Sequence, residues 1–125
     1  MELNLDTSQI LTLDEIAAVL TRGEKQAARH PHVAQNLIIF RLAVGAGLRA
    51  SEIAGLELRD LHTDSAAPYV AVRKEVAKRG RPRKVPLAWD EGTLLALRAW
   101  KAKRLAAGAT ERSPVVCVLQ RQRVG

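Results

Sequence analysis

Cysteine occurs once in 125 residues, at Cys117, so no disulfide can form within the chain. A zinc centre has no ligand set either, because His30, His32 and His62 stand far from that cysteine, and structural zinc sites draw on closely spaced Cys and His. No metal and no cofactor is expected, and the cysteine usage fits a reducing, cytoplasmic compartment. Aromatic residues make up only 3% of the chain. Leu, Ala, Val and Ile must therefore build the core, and the stacking platforms that grip single strands are not expected. No apolar run approaches the roughly 20 residues that cross a bilayer, and no charged segment leading into an apolar run opens the chain. Neither a membrane nor a small-molecule substrate is expected as a partner.

Charge is present in quantity and is unevenly placed. The stretch Arg73 to Lys84 holds seven basic side chains and one acid, and so carries nearly all of the formal net charge of +7. A field concentrated in this way favours a polyanion. The Gly80 and Pro82 interruptions, followed by Val85-Pro86-Leu87, place these residues on a turn between two strands. The expectation is a basic hairpin that contacts duplex nucleic acid.

The 125 residues allow one domain with a core of its own. Residues 1–11 read as an extended lead-in segment. Thr12-Leu13-Asp14-Glu15 reads as a capping box, opening a helix over about 13–28 with Leu13, Ile16, Ala17, Val19 and Leu20 on its apolar side. Pro31 suits the first turn of a second helix, over about 32–45, whose apolar residues cover most of its circumference. Gly45 and Gly47 end it. A short helix over about 51–56 follows. Tyr69 to Arg73 then alternates and is β-rich, and Arg83 to Leu87 reads as the strand that pairs with it across the basic turn, with Pro86 at an edge or strand end. A last helix spans about 90–107, with Leu94, Leu95, Leu97, Trp100 and Leu105 inward. Ser113 to Leu119 reads as a final extended segment. The predicted fold class is α+β, mainly helical with a small three-stranded antiparallel sheet.

Gly47-Leu48-Arg49-Ala50-Ser51-Glu52 sets one arginine at the mouth of a helix, after a glycine turn, with a carboxylate three positions on. A guanidinium held there can offer paired donors to a phosphate, which a lysine cannot match in geometry. The alternative from spacing alone is a surface Arg–Glu pair, which contributes little to stability.

The stretch Ala43 to Leu56, followed by Asp60-Leu61, resembles the first signature box of the tyrosine recombinases, or phage integrases, written T-G-L-R-x-S-E-L-x-x-L with an Asp a few positions later. Ala46 stands where Thr is common. Lys78 to Leu87 resembles the family's β-hairpin, K-x-x-K-x-R-x-V-P-L, and Leu11 to Ile16 resembles the usual opening of its catalytic domain. The resemblance implies that Arg49 binds the scissile phosphate and that Glu52 orients neighbouring groups. It also implies that Lys78 protonates the leaving 5′-oxygen, with Lys74 as the alternative if the register slips. Arg73, Lys74, Lys78, Arg79, Arg81 and Arg83 would contact the backbone of double-stranded DNA beside Arg49.

Two parts of the family pattern have no counterpart here. No histidine is followed three residues later by arginine, and the single tyrosine, Tyr69, precedes the basic turn. The expectation is that 12–125 is the front part of a recombinase catalytic domain, without the preceding clamping domain, and inactive alone for want of a nucleophile. A standalone DNA-binding or regulatory module acting at recombination sites is the alternative. Such a module could also pair with a full-length recombinase, and self-association would cover apolar surface left by the missing part.

Overall fold

Helix α1 runs from Leu13 to Ala27, with Asp14 and Glu15 in its first turn, where carboxylates oppose the positive end of the helix dipole. The computed structural model describes residues 13–27 and 31–117, so the Thr12 cap and the lead-in segment lie outside the described residues. Chain packing separates 1–37 from 38–125 as two units. Within the first, Val19 is exposed although the apolar stripe predicted it inward, while Ile16 is half-buried.

Helix α2 spans Pro31 to Phe40 and starts on the proline, whose fixed φ and missing N–H suit a first turn. The predicted continuation to residue 45 is helical but wider, a π turn over Arg41–Gly45 closed by Ala46 N–H donating to Arg41 O at 3.1 Å. Its residues are not uniformly buried. Leu42 is enclosed, while Ala43 and Val44 face solvent. Gly47 then takes φ +69°, a left-handed conformation that costs glycine nothing and lets the chain turn sharply into the next helix.

Helix α3 covers Ala50–Gly55, a single 3₁₀ turn covers Leu58–Asp60, and the sheet follows as β1 (Leu61–His62), β2 (Tyr69–Val72) and β3 (Arg83–Pro86). All pairing is antiparallel in the order β1-β2-β3, in agreement with the α+β class read from the sequence. The register sets Val70 opposite Val85 and Val72 opposite Arg83. Period-two alternation then buries Val70 and Val72 and leaves Tyr69 and Ala71 half-covered on the other face.

Helix α4 spans Glu91–Ala106, capped by the Asp90 carboxylate accepting from Thr93 N–H at 3.2 Å. Leu97 is buried on its inner side, but Leu95, predicted inward, is exposed. Residues 113–117 return beside the first box. Pro114 bridges Glu57, Val115 N–H donates to Leu56 O, and Trp100 Nε1 donates to Val115 O at 2.7 Å. The rest of the predicted final segment lies outside the described residues. Leu42, Leu48, Ile53, Leu56, Leu58, Leu61, Val70, Val72, Leu87, Leu97 and Val115 close the core of the second unit.

Gly55 marks where the loop after β2 rests on α3. A Cβ added there would lie 2.4 Å from Val76 Cγ1. Gly→Ala in a helix ordinarily stabilises by about 0.5–1 kcal/mol, but overpacking costs about 1–3 kcal/mol. Gly55→Ala should therefore destabilise in urea titration, and the loss should disappear when the same change is made in a Val76→Ala background.

Candidate nucleic-acid interface

Glu52 sits in the first turn of α3 with no solvent exposure. Its carboxylate accepts from four donors: the Arg49 backbone N–H at 3.0 Å, the Lys78 backbone N–H at 3.3 Å, and Arg83 Nη1 and Nη2 at 2.8 and 2.9 Å. Only the carboxylate half of a capping box forms, because a guanidinium has no acceptor to return. The paired bonds from Arg83 hold the Glu52 pKa down from 4.5 to about 2, against an opposing push from burial, with the two backbone donors adding to the depression. One side chain therefore ties the helix mouth, the hairpin loop and strand β3 together.

The other root of the hairpin is held in a similar way. Arg73 Nε donates to both oxygens of Asp60 at 2.9 and 3.0 Å, and its Nη2 donates to Gly55 O at 3.0 Å. Glu57 and Glu75 lie within 3.8 and 3.6 Å of the same guanidinium. Asp60 is 2% exposed. Phosphate contact was expected of Arg73 and Arg83, but both guanidiniums are engaged internally.

The remaining cations divide differently. Lys84 lies over the Tyr69 ring at 4.9 Å. The guanidiniums of Arg49, Arg79 and Arg81 and the ammonium groups of Lys74 and Lys78 make no internal hydrogen bond or ion pair among the described residues. Gly47, Arg49, Lys78, Arg79, Arg81, Pro82 and Arg83 line one open groove of about 540 Å³. Lys74 is exposed and is not part of that lining. At the tip, Arg79 and Gly80 are both left-handed, with φ of 62° and 66°. For an arginine this costs about 1–2 kcal/mol, and strain of this kind collects at functional positions.

No group of three or more His, Cys, Asp or Glu suited to a metal occurs among the described residues. None of their helices is long and apolar enough to cross a membrane. The groove is a cationic recess walled by two short turns, and the buried Glu52 carboxylate bonds to Arg49, Lys78 and Arg83 of its lining.

The phage integrase family matches residues 9–124, most of the sequence, and the chain belongs to that family, whose members carry out site-specific recombination. No curated relative and no solved structure gives a significant match.

Sequence reasoning singled out Arg49, Glu52 and Lys78, and the fold brings all three to one place. It did not foresee Gly47 and Pro82 as walls of the groove. The inward use of Arg83 was signalled only by its alternation with Lys84 on a strand whose partner residues Val70 and Val72 face the core.

In the unfolded chain Glu52 titrates at its ordinary value of 4.5, and in the fold at about 2. The stability it contributes is fully present above pH 4.5 and is lost as pH falls towards 2. Glu52→Gln should lower stability at pH 7 by about 2 kcal/mol, the scale of hydrogen bonds to a charged group. It should also flatten the acid limb of a stability profile followed by circular dichroism; a limb parallel to the wild type would contradict the assignment.

Proposed function

We propose that this chain grips duplex DNA across a backbone phosphate, as the phosphate-holding front part of a site-specific recombinase catalytic domain. The observation that carries this reading is the double hold of Glu52, which seats the backbone of Arg49 and of Lys78 at one groove lined by both residues. A guanidinium at a helix mouth meets two phosphate oxygens at once, and placed there beforehand it stabilises the charge that builds on a pentavalent phosphorus. Lys78, which lines the same groove, supplies an ammonium suited to protonating a departing 5′-oxygen. Arg79 and Arg81, and Lys74 further along the loop, extend the grip to neighbouring phosphates. Arg73 and Arg83 serve the grip indirectly, through their carboxylates.

Strand cleavage by this family's chemistry passes through a phosphotyrosine, and the only tyrosine in the 125 residues is Tyr69. Its ring is stacked on His62 at 4.3 Å, on the sheet, and it takes no part in lining the groove. The chain as given therefore binds without cutting, and completes a reaction only where another polypeptide segment brings the nucleophile. This reading sets its work in the cytoplasm, on double-stranded DNA.

Two measurements test the reading. Removing one phosphate-binding cation should reduce the slope of log K against log salt by about 0.9. Arg79→Ala with Arg81→Ala should lower the slope by about 2, against about 1 for Arg49→Ala, in fluorescence anisotropy with labelled duplex. Equal slopes for all proteins would remove the hairpin from the interface. Separately, a nicked suicide duplex should yield no protein–DNA band that survives denaturant, and such a band would overturn the binding-only reading.

A further inference from the structure

Asp60 is part of the first signature box, yet the groove does not use it. Its carboxylate lies at the end of the 3₁₀ turn, nearly buried, and accepts from Glu57 N–H at 2.9 Å as well as twice from Arg73 Nε. Arg73 in turn has its carbonyl occupied by Val76 N–H and Ala77 N–H, both at 2.9 Å. Val76 presses on Gly55 with no room for a Cβ between them, and Ala77 is buried. The next residue is Lys78, whose N–H reaches Glu52.

We propose that Asp60 is a positioning residue for the DNA grip: through Arg73 it clamps the foot of the hairpin, residues 73–77, and thereby sets where Lys78 enters the groove. The foot is docked by its own backbone turn, by a close contact on α3 and by a buried ion pair. The tip, residues 78–82, has only exposed side chains, so its placement is inherited from its two ends. Glu52 holds the far end through Arg83. Asp60 holds the near end; Glu52 lies in the first turn of α3 and Asp60 in the 3₁₀ turn that follows it. A salt bridge on a solvated turn would leave the lysine free to wander. Here one planar guanidinium spans two fixed acceptors, the Asp60 carboxylate through Nε and Gly55 O through Nη2, so direction as well as distance is set, which a lysine at position 73 could not reproduce.

This inference rests on the proposed DNA grip, and the experiment separates the two. Asp60→Asn and Arg73→Lys are compared with Leu97→Ala, a core change in α4 away from the hairpin that serves as a control for simple destabilisation. With labelled duplex, Asp60→Asn should weaken affinity about tenfold and lower the salt slope by about 0.9, as one displaced cation requires. Arg73→Lys should do the same to a smaller degree, and Leu97→Ala should leave both unchanged at a temperature where all three variants are folded. Amide hydrogen exchange on the free proteins gives a reading that needs no DNA: protection at Val76, Ala77 and Lys78 should fall in Asp60→Asn and persist in Leu97→Ala. If the wild type fails to bind duplex, the DNA reading falls while the exchange pattern still decides the clamp. Should Asp60→Asn not fold, Arg73→Lys carries both comparisons. Wild-type protection at Lys78 in a folded variant, or unchanged affinity and slope with binding intact, overturns the proposal.

Discussion

A carboxylate shut away from water must have its charge answered by neighbours, since an uncompensated buried ion costs several kcal/mol. Glu52 meets that requirement with two guanidinium donors and two backbone N–H groups, and those bonds outweigh the burial that would otherwise favour its protonated form. Because the donors come from the mouth of α3, the hairpin loop and strand β3, satisfying one anion sets the relative positions of three segments. Loss of any donor would leave the others serving a charge they cannot fully balance. Three residues of the groove lining, Arg49, Lys78 and Arg83, are joined through this one carboxylate.

The same logic divides the basic stretch into two populations. Arg73 and Arg83 spend their charge on Asp60 and Glu52, so they shape the hairpin. Lys78, Arg79 and Arg81, together with Arg49, keep their side-chain donors free at the groove, which suits them to the phosphate contact proposed above. Contacts of the second kind position a protein on DNA and carry no base-sequence information. A net charge concentrated on one hairpin is thus the basis of the proposed grip and of the salt dependence that tests it.

Several elements were legible in the residues alone because their causes are local. Pro31 opened a helix through its own ring geometry, Gly47 turned the chain through its own lack of a side chain, and β2 announced itself by alternation, with β3 as its partner across the basic turn. The motif around Arg49, joined to the hairpin ending in Val-Pro-Leu, was specific enough to name the family that the comparison then matched over residues 9–124. Errors fell where surroundings, and not neighbours in sequence, decide. Leu95 follows the apolar pattern of α4 and yet faces solvent, since periodicity gives a stripe but not the width of the surface it meets. The widening of α2 into a π turn at Arg41–Gly45 left no mark in composition.

The division of roles among the cations is the clearest case of this divide. Seven basic residues in one short stretch were enough to read a strongly cationic hairpin from the sequence, because net charge adds up whatever the fold. Their separate roles depend on which carboxylate lies beneath each one. Arg83 meets a residue 31 positions away and Arg73 one 13 positions away, so chain folding had to bring each pair together before either arginine could be distinguished from Arg79 or Arg81. Charge is a property of the chain, whereas pairing is a property of distance in space.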